Sequence, residues 1–124
     1  MKLIKKRILT YDIHSYKVCF VADAKLIYDQ QIHFLEGRYE VRLTAYEVPK
    51  SKKFPDGVKL SCVLLDLLQK IPRLLLDNHE PYGYHLHTKM PHDKAHRVSV
   101  DVRDFEEAIE YFMGHVPRVI KDEI

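Results

Sequence analysis

Two histidines separated by one residue are the feature of this sequence with the clearest capacity for chemistry. His85 and His87 flank Leu86, and Lys89 continues the same spacing. Successive side chains of a strand point to opposite faces, so an extended segment over residues 84–89 places both imidazoles and Lys89 on one face. At this spacing the imidazoles lie roughly 7 Å apart, close enough to act on one metal ion, phosphate or other ligand.

Polar side chains also end the segment that precedes the histidines. Asp77 and Asn78 close an aliphatic run, and Pro81 and Gly83 then mark a turn. If the segments on either side of this turn pair as a hairpin, Asp77 and Asn78 come close to the histidines. Either side chain could then orient an imidazole.

General acid–base cleavage of RNA is a reaction that these residue types fit. Cleavage without a metal needs a base for the 2′-hydroxyl proton, an acid for the leaving 5′-oxygen and a cation for the charge that develops on the phosphate. Histidine suits both proton transfers because its pKa lies near neutrality. We expect His85 and His87 to divide these roles, with Lys89 or Arg97 stabilising the phosphate.

Aromatic and basic residues supply candidate contacts to RNA. Tyr82 and Tyr84 could stack on a base, with packing in the core as the alternative for each. Lys52 and Lys53 lie in a segment, residues 48–57, whose two prolines and glycine predict an exposed loop. These lysines could contact phosphates, although a solvated loop is the commoner arrangement.

Metal binding is the alternative use of the histidines. Five of them fall between positions 79 and 96, namely His79, His85, His87, His92 and His96. Imidazole is a common ligand of zinc and other transition metals, and His-x-His on a strand can bind one ion with both rings. The ligands would then be His79, His85 and His87, but the prediction for this chain is that it needs no cofactor.

The sequence gives little support for catalysis by a cysteine nucleophile or for binding of a nucleotide cofactor. Cys19 and Cys62 lie in apolar surroundings without a Cys-x-x-Cys pairing, so we expect buried, reduced thiols that are poor nucleophiles. The chain has four scattered glycines and no glycine-rich phosphate-binding loop.

Composition bounds the class of protein. A chain of 124 residues suffices for one domain with its own core. Charged residues make up 31%, and no apolar stretch reaches the roughly 20 residues of a membrane helix, so no membrane association is expected. The basic start is not followed by an apolar signal core, which favours a cytoplasmic location. A net charge of +2 is compatible with a polyanionic partner but far below that of a dedicated nucleic-acid binder.

Hydrophobic periodicity predicts the strands that position these residues. Residues 26–34 and 39–45 alternate apolar and polar side chains around Glu36-Gly37, which indicates an antiparallel hairpin. Val58 to Asp66 contains a run that is apolar on both faces, so this strand is expected at the centre of the sheet.

The strands that follow are expected to continue the sheet in sequence order. A turn at Leu67 to Lys70 leads into a strand at Ile71 to Asp77, and the alternating valines of residues 98–102 predict a last strand. Residues 1–24 have no clean period and suggest an N-terminal arm or an edge hairpin. We therefore expect one domain over residues 1–124, in which residues 25–124 form the core.

A C-terminal amphipathic helix is the remaining predicted element. Asp104 is the expected N-cap, with Glu107 at the capping-box spacing, and the apolar residues that follow recur at helical intervals. Pro117 predicts that the regular helix ends near residues 115–116 and resumes only as a short turn through Ile120. The fold class is thus α+β, an antiparallel β-meander sheet with one helix packed on one face.

From about Gln30 to Val116 the chain resembles the TumE family of small toxins. The resemblance rests on a hairpin followed by short motifs in a fixed order: Val48-Pro49-Lys50-Ser51, Phe54-Pro55-Asp56-Gly57-Val58-Lys59, Asp77-Asn78, Gly83-Tyr84-His85-Leu86-His87, a last strand and a helix from Phe105 to Phe112. The first two dozen residues exceed the family pattern, and residues 88–96 are less glycine-rich than its usual continuation.

The resemblance implies a growth-inhibiting toxin, an endoribonuclease that an Xre-type helix-turn-helix antitoxin neutralises. It puts Asp77, Asn78, Gly83, His85 and His87 in the site. Two alternatives remain open on the sequence, a non-catalytic protein-interaction module and a metal-binding protein. The sequence also leaves open whether the active form is a homodimer.

Overall fold

A computed structural model describes residues 4–5, 8–11, 18–21, 24–79 and 82–123, with side chains over 24–79 and 82–121. The strands in chain order are β1 (Ile4–Lys5), β2 (Ile8–Tyr11), β3 (Val18–Val21), β4 (Lys25–Phe34), β5 (Tyr39–Glu47), β6 (Val58–Asp66), β7 (Ile71–Asp77), β8 (His85–His87) and β9 (Val98–Ser99). One helix, α1 (Phe105–Glu123), follows them.

An antiparallel sheet dominates the described structure. Its strand order is β1-β4-β5-β6-β7-β8-β9, so β4 to β9 form a meander, while β2 and β3 pair with each other. This arrangement confirms the predicted α+β fold with one C-terminal helix. The β4–β5 hairpin and the position of β6 between β5 and β7 were also predicted correctly. Alternation indicates a strand with one buried face, and a run that is apolar on both faces indicates a strand inside the sheet. No helix among the described residues is long and apolar enough to cross a membrane.

The core lies between one face of the sheet and α1. Alternate residues of β5, beginning with Tyr39 and Val41, are fully buried, as are Cys62 of β6, Leu76 of β7 and Leu86 of β8. Cys62 is a free thiol whose pKa is raised, first by burial and then by the charge of Asp77, as expected for an inert cysteine. The side chain of Cys19 lies outside the described residues.

The helix begins as predicted but ends later. The Asp104 carboxylate accepts a bond of 2.9 Å from the amide of Glu107, which makes Asp104 the N-cap. Glu107 returns its carboxylate to the amide of Arg103, one residue before the position that a capping box uses.

Pro117 lies inside α1, so the predicted end of the helix near residues 115–116 is wrong. A proline within a helix costs about 3 kcal/mol, since it removes a backbone hydrogen bond and crowds the preceding turn. Val116 and Ile120 are both buried in the core, and burying each aliphatic side chain contributes about 1.5–3 kcal/mol. Core packing therefore offsets the local preference, and the exposed ring of Pro117 faces away from the sheet.

The strands near the histidines are shorter than predicted. Strand β8 covers only His85–His87, and β9 covers only Val98–Ser99 instead of residues 98–102. Val100 and Val102 still pack into or against the core, so the valine pattern reports burial without continued strand pairing.

Candidate active site

Strand pairing brings the predicted polar residues together. In the β7–β8 ladder Leu76 lies opposite Leu86 and Asp77 lies opposite His85. Leu76 and Leu86 belong to the core, so Asp77, His85 and His87 occupy the sheet face away from α1. This confirms that the turn at residues 78–84 closes a hairpin and that the two histidines share a face.

Rings from the flanking loops pack over the two histidines. The ring centroids of His85 and His87 are 5.0 Å apart, and His79 lies 5.1 Å from His85. Tyr82 packs edge-on against His85 at 5.6 Å, and the guanidinium carbon of Arg97 stacks on the Tyr82 ring, 3.8 Å from its centroid. We call these five residues together with Asp77 the histidine cluster.

Backbone carbonyls fix the tautomer of both strand histidines. Nδ1 of His85 donates to the carbonyl of Gly83 at 2.7 Å, and Nδ1 of His87 donates to the carbonyl of Lys94 at 2.9 Å. A carbonyl oxygen only accepts, so each Nδ1 carries the proton and each neutral ring keeps its lone pair on Nε2. Nε2 of His85 is buried and has no hydrogen-bond partner within the described part of the chain.

The environment holds both imidazoles neutral at pH 7. Burial is the largest cause that lowers the pKa of His85, and Arg97 lowers it further, while the Gly83 bond and Asp77 act in the opposite direction. Burial also lowers the pKa of His87, followed by repulsion from His85. Because charging one ring disfavours charging the other, the pair holds a single proton more readily than two.

Asn78 is buried, and its amide serves the sheet instead of the cluster. Its Oδ1 accepts from the amide of Leu60 at 2.9 Å, and its Nδ2 donates to the carbonyl of Val58 at 2.8 Å. Both polar atoms therefore bond to β6, and the amide also contributes a hydrogen bond to Tyr84 that lowers the pKa of its hydroxyl. Asn78 thus holds the end of β7 against the start of β6, and its predicted catalytic role stays a prediction.

Tyr84 packs away from the cluster, and Lys89 lies beyond the strand that carries the histidines. Tyr84 packs against the core, and its hydroxyl donates to Asp56 at 3.1 Å; its pKa is raised, chiefly by burial. The alternative of core packing therefore holds for Tyr84, whereas Tyr82 lies at the cluster with 46% of its surface exposed. Lys89 is exposed two residues beyond the end of β8, so strand alternation no longer fixes its side-chain direction, and its role at the site stays a prediction.

Lys52 and Lys53 lie in an exposed loop, as predicted. The recorded ring contact of Lys53 is with its neighbour Phe54, at 5.8 Å. The loop lies at the same edge of the sheet as the cluster. Asp56 of the loop accepts a hydrogen bond from Tyr84, the residue that precedes β8. Its lysines are exposed to solvent at this edge.

Two features of the cluster differ from what the sequence predicted: a backbone partner of His87 and the set of potential metal ligands. Lys94 was not anticipated, because it acts through its backbone carbonyl, which leaves no signal in side-chain type. The group best placed to hold a metal is Asp77, His79 and His85, whose potential ligand atoms lie within 4.8 Å of one another. Asp77 thus takes the place that the sequence interpretation gave to His87.

Comparisons with models of protein families, with curated proteins and with solved structures find no match to this chain. The geometry of the histidine cluster is therefore the basis for a functional assignment.

Proposed function

We propose that this protein is an RNA-cleaving toxin, a metal-independent endoribonuclease that an Xre-type helix-turn-helix antitoxin neutralises. The observation that carries the proposal is the His85–His87 pair. Two neutral imidazoles lie 5.0 Å apart, and each is oriented through Nδ1 so that Nε2 is left for proton transfer.

The proton transfers follow the usual course of RNA cleavage by its own 2′-hydroxyl. One imidazole takes the 2′-hydroxyl proton while the 2′-oxygen attacks phosphorus, and the bond from phosphorus to the 5′-oxygen breaks. The other imidazole must first take up a proton on Nε2, so the singly protonated pair, a minority form at pH 7, is the active one; it gives that proton to the leaving oxygen, which leaves a 2′,3′-cyclic phosphate. Arg97, whose charge acts on both imidazoles, stabilises the charge on the phosphate.

Access to the imidazoles depends on Tyr82 and Arg97. His85 is 1% exposed and His87 is 8% exposed, whereas Tyr82, which packs edge-on against His85, has 46% of its surface in solvent. RNA therefore reaches Nε2 of His85 when the stacked Tyr82–Arg97 pair moves aside. Tyr82 is then free to stack on a base and Arg97 to meet the phosphate.

The toxin assignment is supported by the resemblance of the motifs at this site. Gly83, His85 and His87 belong to the Gly-x-His-x-His pattern, and the Gly83 carbonyl orients His85. Gly83 also has a positive φ of 60°, a conformation that glycine adopts without strain. The glycine of the pattern therefore has a physical reason to precede the histidine.

Cleavage of single-stranded RNA in EDTA tests the proposal. The matched variants are His85→Asn and His87→Asn, because the asparagine amide can keep the bond that Nδ1 makes while Nε2 is removed. We expect each to lower the cleavage rate by about 10²–10⁴-fold, the usual contribution of a general acid or base. His92→Asn, an exposed loop histidine, is the control and should cleave like the parent.

Full activity in the His85→Asn/His87→Asn double variant would refute the catalytic assignment. Growth inhibition with intact RNA would instead indicate the non-catalytic interaction module. Relief of growth inhibition by a co-expressed helix-turn-helix partner tests the antitoxin part separately.

A further inference from the structure

We propose that Asp77, His79 and His85 form a binding site for a divalent transition-metal ion of the zinc class. One potential ligand atom of each residue lies within 4.8 Å of the other two, and Nδ1 of His79 is 3.5 Å from Oδ2 of Asp77. In a tetrahedral zinc site ligand atoms are separated by about 3.3 Å, since each lies about 2.0 Å from the ion. Side-chain rotation of the half-buried Asp77 and His79 can supply the remaining contraction.

The state of His85 is an independent indication of a ligand. Its Nε2 is buried and unpartnered within the described structure, although a buried polar atom normally has a partner. Its Nδ1 donates to the Gly83 carbonyl at 2.7 Å. Metal-binding histidines characteristically donate their second nitrogen to such an acceptor, which fixes the ring and directs the other lone pair at the ion.

The donor set selects the class of metal. Two imidazoles and one carboxylate suit zinc, cobalt, nickel or iron(II), whereas calcium and magnesium prefer sites made of oxygen atoms. Three protein ligands leave a position open for water or another ligand. Arg97 lies close enough to lower the pKa of His85 by its charge, so it also opposes a bound cation.

A metal at this site competes with RNA cleavage, a consequence that rests on the proposed function. The ion takes the lone pair of His85 Nε2, which acid–base catalysis needs. Bound zinc should therefore inhibit cleavage, and EDTA should relieve the inhibition. This is the opposite of what a metal-dependent nuclease would show.

Titration of the untagged, chelator-treated full chain tests the site without RNA. We expect Co²⁺ to give the visible absorption of a nitrogen- and oxygen-ligated ion at one equivalent, and Zn²⁺ to displace it. Changing a residue that only orients a ligand typically weakens metal binding by 10–100-fold, so His79→Gln, which removes a ligand, should weaken it by at least about 100-fold. Arg97→Gln should strengthen it.

The controls separate ligand loss from unfolding. Asp77→Asn keeps the Oδ1 acceptor for the amide of Asn78, a bond of 2.8 Å, so it should fold while binding Co²⁺ weakly. His92→Gln removes an exposed histidine outside the group and should bind like the parent. Thermal melting of each apo variant checks its fold.

Two results would overturn the site. One is the absence of a Co²⁺ or Zn²⁺ signal in the parent at millimolar metal, and the other is equal affinity in the parent and in the Asp77→Asn/His79→Gln double variant. Because binding is measured without RNA, an inactive nuclease leaves this test intact, and an absent metal site leaves the cleavage assay in EDTA intact.

Discussion

The two ends of strand β7 both meet buried ionisable side chains, yet they use them differently. At the turn into β7, Asp66 is fully buried, and its Oδ1 accepts from the amides of Leu68 and Gln69 at 3.1 Å each. Its Oδ2 lies 3.7 Å from Nη2 of Arg38. This second oxygen is buried without a hydrogen bond among the described residues, so Asp66 shapes the turn through Oδ1.

At the other end, His85 is buried to the same extent but keeps a free lone pair. One nitrogen is bonded to Gly83, the other has no partner among the described residues, and His79, Tyr82 and His87 surround the ring. Burial alone therefore does not distinguish a structural polar residue from a reactive one. Oδ2 of Asp66 and Nε2 of His85 both lack a hydrogen bond among the described residues, so the difference lies in their neighbours: the guanidinium of Arg38 lies beside Asp66, whereas Asp77 and His79 offer further potential metal ligands beside His85.

Asn78→Ala is the substitution with the largest expected effect. Asn78 lies at the histidine end of β7, but its side chain bonds to backbone groups, as Oδ1 of Asp66 does. We expect a loss of about 3 kcal/mol in the free energy of unfolding, since the substitution leaves the amide of Leu60 and the carbonyl of Val58 without partners. Urea denaturation measures it. Cleavage by the folded fraction should be nearly unchanged.

The opposite outcome for Asn78→Ala would contradict the structural role of Asn78. Lost cleavage at unchanged stability would mean that Asn78 is catalytic, as the family resemblance implies. Asn78→Asp is the matched control, since it keeps the acceptor for Leu60 and loses the donor to Val58.

Asp66→Ala should destabilise the protein by about 2 kcal/mol without affecting the histidine cluster. It removes the acceptor of two turn amides and the partner of Arg38. Asp66→Asn keeps the Oδ1 acceptor and should cost less. Urea denaturation gives the stability, and Co²⁺ titration should be unaltered; a shifted Co²⁺ affinity would show that the two ends are coupled.

Acidification is expected to reveal the buried neutral histidines through a smaller effect. The folded protein holds the pKa values of His85 and His87 below 6.5, so the unfolded chain binds protons first as the pH falls. The stability contributed by the neutral rings is present above about pH 6.5 and is lost as the pH falls through their lower folded values.

The measurement is urea denaturation in EDTA at pH 7.5 and at pH 5. The parent should lose more stability on acidification than the His85→Asn/His87→Asn variant, in which carboxylates titrate but these imidazoles are absent. An equal loss in both proteins would mean that the cluster takes up protons freely while folded.

Much of the sheet follows from the sequence because burial on one face requires alternation. Strands β6 and β7 have the predicted bounds, and their pairing places Asp77 opposite His85 once the turn is recognised. Predictions that extended a local pattern failed where long-range packing decided the result. Helix α1 continues through Pro117 because Val116 and Ile120 reach the core, and β8 ends at His87, before Lys89.

The candidate site divides in the same way. Residue types and spacing determined that His85 and His87 share a face, since side-chain direction on a strand is a local property, whereas the register of β7 against β8 put Asp77 on that face. Only the tertiary structure decided that Arg97 stacks over Tyr82, that Asn78 is bonded to β6 and that Asp77 joins His79 and His85. Loop paths and backbone carbonyl partners set these contacts, and neither is written in the spacing of side chains along one strand.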